Sequence, residues 1–125
     1  MKLTEAITTA KQNTGIMHIS DDEMTRWLSA LDGRIALEVF NTEDYSPYDA
    51  TDNANSELLI PFPYDEVYPH YLAAKMFFTL GEYTRYQNEQ SISNKYEDDY
   101  RKYVQRTRVT QPQQPPYRGW NPLDL

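Results

Sequence analysis

The stretch "LLIPFPYDEVYPHYLAAK", Leu58 to Lys75, restricts the fold more than any other part of the chain. Pro61 and Pro63 fix φ and remove two backbone donors, so this segment can be neither a helix interior nor a central strand. The expectation for Leu58 to Tyr64 is an extended or short edge-strand lead-in. Pro69 fits only the first turn of the helix that follows; a helix starting at Asp65 would be kinked by it. Leu72, Met76, Leu80 and Tyr83 recur at helical spacing as its apolar face, and the pattern predicts an end near Asn88.

Three more helices are expected. Leu3 to Lys11 carries Leu3, Ile7 and Ala10 on one stripe, with Thr4 available to cap and Asn13, Thr14 and Gly15 to stop it. Ser20-Asp21-Asp22-Glu23 matches a capping box and sets three carboxylates at the positive end of a helix dipole. From there Met24, Trp27, Leu28, Leu31, Ile35, Val39 and Phe40 form an amphipathic stripe, with Arg26, Asp32, Arg34 and Glu38 expected on the exposed side and Gly33 a local weakness. Ser91 or Ser93 can cap a fourth helix that aligns Ile92, Tyr96, Tyr100, Tyr103 and Val104. With Tyr83 and Tyr86 on the preceding helix, this predicts an antiparallel hairpin with tyrosines across its seam.

Between these elements lie a polar, aperiodic stretch at 41–57, expected to be a long surface loop, and a proline-rich end, "TQPQQPPYRGWNPLDL". The chain therefore reads as all-α: a small helical domain of about four helices over 1–108 with a long surface loop, then an extended Pro-rich C-terminal arm over 109–125.

Charge and composition remove several function classes. Residues 1–60 hold four basic and eleven acidic side chains and residues 61–125 eight of each, which places the whole net charge of −7 in the first half. Such a surface repels phosphates, so sequence-specific DNA binding is not expected, although DNA passing nearby is compatible with it. With no cysteine there is no disulfide, thiolate metal site or thiol nucleophile. No apolar leader follows Met1 and no run reaches the roughly 20 residues of a membrane span, so a soluble, unexported protein is expected.

Chemistry has few places to reside. His18 and His70, far apart in sequence, read as solvent-facing rather than metal-binding. The acidic trio at 21–23 is accounted for by helix capping, and Asp49 to Glu57 lacks the glycine and terminal glutamate spacing of a calcium loop. No phosphate-cradling loop, nucleophile elbow or dinucleotide fingerprint is present. The expectation is no catalytic residue, no cofactor and no metal; a small hydrolase acting through Asp21, Asp22, Asp98 and Asp99 is the enzymatic alternative.

Eleven tyrosines are more informative, because tyrosine joins a large apolar body to a polar tip and suits surfaces that a partner covers. Tyr83, Tyr96, Tyr100 and Tyr103 are expected in the half-buried core. Tyr45, Tyr48, Tyr64, Tyr68 and Tyr117 are expected to bind partners. So are Arg106, Arg108, Arg118 and Trp120, since Arg and Trp dominate interface hot spots. No acidic residue lies between Arg101 and Arg118, and this basic run could meet the acidic half of another copy, head to tail.

"DDEMTRWLSALDGRIALEVF", then "ELLIPFPYDEVYPHYLAAKMFFTLGEYTRYQNE", then a helix containing "NKYEDDYRKYV" resemble, in that order and over about residues 3–107, the small head-tail connector (head-completion or adaptor) proteins of tailed phages and prophages. The combination carries the resemblance, above all Trp27 with Leu31, Asp32, Gly33 and Ile35, and "PFPYDEVY" opening a long helix. The resemblance implies a mostly α-helical subunit in a ring, usually a dodecamer, below the portal at the capsid vertex. Its partners would be other copies of itself, the portal protein, tail completion proteins and DNA in transit, with no membrane. Its place would be the virion's head-tail junction, assembled in the bacterial cytoplasm. A monomeric helical interaction adaptor is the alternative.

Overall fold

The computed structural model describes residues 1–43, 45–48 and 55–109. Among them are four α-helices and no strand: α1 (Leu3–Thr14), α2 (Asp21–Phe40), α3 (Val67–Thr79) and α4 (Tyr83–Val109), with a 3-10 turn at Tyr64–Glu66. The fold is mostly helical. Of the expected arm, 109–125, Val109 is the last residue of α4 and residues 110–125 lie outside the described residues, as do Asp44 and residues 49–54.

α3 is the centre because it is apolar nearly all round: Val67, Tyr68, Pro69, Tyr71, Leu72, Ala73, Ala74, Met76 and Phe77 are all buried. Against it pack Leu3, Ala6, Ile7 and Ala10 of α1, Met24, Leu28, Leu31 and Ile35 of α2, and Tyr100 and Val104 of α4. Pro69 sits in the first turn of α3, where its missing donor costs nothing.

The lead-in is anchored at its start. Leu3 N–H donates to the Ser56 carbonyl at 2.9 Å and Leu58 N–H to the Met1 carbonyl at 2.9 Å, an antiparallel bridge between Lys2 and Glu57. Leu58 and Ile60 are buried and Leu59 partly so; the chain turns at Pro61, whose carbonyl accepts from Tyr64 N–H.

Two helix limits match their capping chemistry. The Ser20 side chain accepts from Glu23 N–H at 3.2 Å and starts α2. α1 ends at Gly15, whose φ of 74° is the left-handed conformation that glycine adopts without a Cβ clash. Its start is capped by Lys2 and Glu5 rather than Thr4, with Lys2 N–H donating to Glu5 Oε1 at 2.8 Å.

The boundary between the last two helices differs from expectation. α3 ends at Thr79, Gly81 takes φ 78°, and Glu82 N–H returns to the Phe77 carbonyl at 2.9 Å. No break occurs near Ser91 or Ser93; α4 runs without interruption for 27 residues. Leu80 and Tyr83 consequently leave the apolar face and are exposed. Ser93 is instead a buried residue within α4.

Direction follows from ion pairs. Arg34 pairs with Glu97 at 2.8 Å and Glu38 with Arg101 at 2.7 Å. Both partners advance by four residues, so α2 and α4 run the same way and their C-terminal ends share one end of the molecule. α4 continues eight residues beyond Arg101, about 12 Å.

Candidate functional site

The expected partner tyrosines separate into two environments. One is built around Asp32, which the sequence pattern placed on the exposed side of α2 and which is in fact completely buried. Asp32 Oδ1 accepts from the Tyr68 hydroxyl at 2.6 Å; Oδ2 accepts from the Tyr48 hydroxyl at 2.6 Å and from Leu59 N–H at 3.0 Å. The Tyr68 hydroxyl in turn accepts from Ile60 N–H at 2.7 Å. Burial pushes the Asp32 carboxyl above its ordinary range, against the three donors that favour the ionised form. The same burial, with the carboxylate alongside, raises the Tyr48 and Tyr68 hydroxyls far beyond an ordinary phenol.

This node corrects two expected partner residues. Tyr68 is a core residue with no exposure, and Tyr48 turns inward, its backbone N–H also held by Ser29 Oγ at 2.8 Å. Both tyrosines went inside because a buried carboxylate awaits their polar tips. Tyr45 follows them: it meets Tyr48 edge-on at 5.9 Å and lies over Gly33, where a Cβ would come within 3.3 Å of its ring. Burial pushes its hydroxyl up to about 12, and that hydroxyl has no partner of good geometry among the described residues.

The second environment is at the C-terminal end of α4. Tyr64 packs on Tyr100 and Tyr103, with ring centroids 5.7 and 5.4 Å apart, and Tyr103 is 40% exposed. Two residues before Tyr64 in sequence, Phe62, between Pro61 and Pro63, is 84% exposed, the largest exposure of any large apolar side chain among the described residues. Arg106 follows Tyr103 by three residues on α4 and is exposed. Here Tyr64 and Arg106 stand where a partner can reach them, and Phe62 is a surface residue that sequence reasoning counted as part of the apolar lead-in.

A third group, Phe78, Leu80 and Tyr83, is exposed at the α3–α4 turn, with Phe78 against Tyr83 and Tyr86 at 5.8 and 5.1 Å. Tyr83 is thus a surface residue rather than the core residue expected. His70 is not solvent-facing either: half-buried, its Nδ1 lies 2.6 Å from Glu89 Oε1 and its ring stacks on Tyr96. His18 is exposed.

Much of the basic run is used internally. Arg101 bonds Glu97 and Glu38, and Lys102 pairs with Asp98 at 3.0 Å. Burial alone would raise the Glu97 carboxyl, but Arg34 and Arg101 overcome it and hold Glu97 below the usual carboxylate range. These side chains line a shallow groove of about 360 Å³ between α2 and α4, with Asn94 and Asp98. Of the acidic trio, Asp21 pairs with Lys11 and Glu23 with Arg26. Arg108 lies in the last turn of α4; Tyr117, Arg118 and Trp120 lie outside the described residues.

Among the described residues no cluster of three histidine or carboxylate side chains is placed to hold a metal ion, and no helix is long and apolar enough to cross a membrane. Compared with known protein families, curated proteins and solved structures, the chain matches none.

Proposed function

We propose that the chain is a structural head-tail connector subunit of a tailed phage or prophage, forming a ring below the portal that joins capsid to tail and lets DNA pass. Its work would be assembly rather than bond-making. The observation that carries this reading is exposed aromatic surface outside a filled core: Phe62 stands outward in the lead-in, and Tyr103 of α4, packed on Tyr64, is open to solvent. Large aromatic side chains on a stiff support are the usual anchors of an interface. The resemblance gives the reading its particular form, and its two most distinctive blocks are physically one unit, since Asp32 and Tyr68 bond each other.

The acidic excess would line the channel, where repulsion keeps moving DNA from adhering. Electron microscopy of the protein mixed with portal protein tests the reading. Closed rings on the portal are expected. No binding to the portal, or a strongly basic lumen, would contradict it.

The second reading, a monomeric helical interaction adaptor, is favoured by one observation. The core of α1 to α4 closes within a single chain, with Tyr68, Leu72 and Met76 fully covered, so a subunit needs no second copy to fold. Solution mass with and without portal separates the two.

A further inference from the structure

Asp32 has no exposure and takes no part in the assembly reading, and its surroundings are unusual for a carboxylate. Its three donors, the Tyr48 and Tyr68 hydroxyls and Leu59 N–H, come from three different segments, and all are neutral. Tyr45 beside Tyr48 and Tyr100 of α4 also feel its charge; both are phenols. The side chains that α1 buries are apolar. Among the described residues no cation pairs with Asp32. A buried carboxylate is ordinarily neutralised by a cation or by a proton, and here the proton is what remains.

The three donors differ in how firmly they are held. Tyr68 is sealed in α3, and its hydroxyl also accepts from Ile60 N–H. The lead-in that carries Leu59 is tied to the chain start, where Leu58 N–H donates to the Met1 carbonyl at 2.9 Å. Segment 45–48 has no such second anchor. Among the described residues both of its hydrogen bonds go to α2, from the Tyr48 hydroxyl to Asp32 and from Tyr48 N–H to Ser29 Oγ. Tyr45 rests over Gly33 of the same helix, and Ser46 and Pro47 are exposed.

We propose that segment 45–48 is a proton-operated strap, closed on α2 while Asp32 holds a proton and lifted away, with the four helices intact, when Asp32 loses it. Lifting Tyr48 admits water to the carboxylate, because Tyr48 is the half-buried one of its two bonded phenols. Water then solvates a charge that neutral donors leave uncompensated. The carboxylic acid needs no such help, since it can donate its proton to a tyrosine oxygen. Burial holds the Asp32 carboxyl above its ordinary range, and a group that binds its proton more tightly in the closed form favours closure when protonated. Closure is therefore fully favoured below the ordinary carboxyl value and lost as pH rises through the raised one. The device acts within one chain and does not rest on the assembly reading.

Amide hydrogen exchange by NMR on the full chain, from about pH 4 to about pH 8, tests it, with each rate taken relative to an unstructured peptide at the same pH. Tyr48 N–H reads the strap, and the amides of Leu72 and Met76 in α3 read the whole fold. Opening at Tyr48 is expected to grow by about tenfold for each pH unit between the ordinary carboxyl value and the raised one, then to level off where the Asp32 carboxyl carbon is half-titrated. Low urea should speed exchange at Leu72 and Met76 and leave Tyr48 unchanged, as local opening requires. Asp32→Asn, uncharged at every pH, should make opening at Tyr48 independent of pH; if that variant unfolds, the parent's exchange and carboxyl titration still decide. The proposal is overturned if protection at Tyr48 stays constant while Asp32 titrates, or if Asp32 titrates below the ordinary range. It is equally overturned if Tyr48 exchanges as slowly as Leu72 and Met76, or if a folded Asp32→Asn keeps the parent's pH dependence.

Discussion

Tyr68 at the start of α3 and Tyr103 toward the end of α4 belong to the same helical hairpin, yet one is sealed and the other is open. The residue type is the same; what differs is the partner offered to the hydroxyl. Tyr68 meets a buried carboxylate and a backbone N–H, so its polar tip is satisfied in the core. Tyr103 meets other aromatic rings, which satisfy its body and leave its tip to solvent or to a partner. A tyrosine's fate in a small helical domain is thus decided by where the nearest buried acceptor lies.

The comparison breaks first at Asp32. Asp32→Ala would orphan three donors at once, and each buried unsatisfied donor costs about 1–3 kcal/mol; a loss of about 3–5 kcal/mol in urea denaturation is expected, a large share of a small domain's stability. Asp32→Asn should cost less, about 1–2 kcal/mol, because one oxygen remains but an amide hydrogen now faces a tyrosine hydroxyl. A loss below about 1 kcal/mol for the alanine variant would mean the node does not hold the loop.

Tyr68→Phe comes next, with about 2 kcal/mol expected, since Asp32 loses one donor and Ile60 N–H loses its acceptor. Tyr103→Phe, the matched change at the open end, should shift stability by less than about 0.5 kcal/mol. Equal losses at the two positions would erase the distinction drawn between them.

That distinction was only half legible in the sequence. The Ser20 cap, the first-turn Pro69 and the buried stripe of α2 followed from spacing, because each depends on neighbours within a few residues. Asp32 was assigned by charge to the exposed side, although it lies four residues after Leu28 and three before Ile35 on that stripe. Its burial depends on Tyr48, Leu59 and Tyr68, 16 to 36 residues away, and local periodicity carries no record of such partners. The α3–α4 boundary was missed for the opposite reason: the apolar spacing runs on through Leu80 and Tyr83, while the actual stop is the single left-handed Gly81. At the α4 end, Phe62 did not stand apart from the rest of the apolar lead-in, because Leu58 and Ile60 are buried and Phe62 is exposed through tertiary packing that local spacing does not record.

The ion pairs that join α2 to α4 carry a pH signature that separates them from the Asp32 node. Glu97→Gln should cost about 1–2 kcal/mol at neutral pH, because two arginines lose a charged acceptor. The folded-state pKa of Glu97 is lowered, so its contribution is fully present above the ordinary carboxylate pKa and is lost as pH falls through the lowered value. That of Asp32 is raised, so its contribution is present below the ordinary value and is lost as pH rises through the raised one. The gap between the parent and Glu97→Gln should therefore close on acidification, whereas the gap between the parent and Asp32→Asn should widen as protonation of the buried carboxyl favours the folded parent. Denaturation measured from neutral pH down into the acid range reads both gaps. Two gaps that move in the same direction would show that the buried node and the surface ion pairs answer to one electrostatic cause, against the separation of inside from outside argued for the tyrosines.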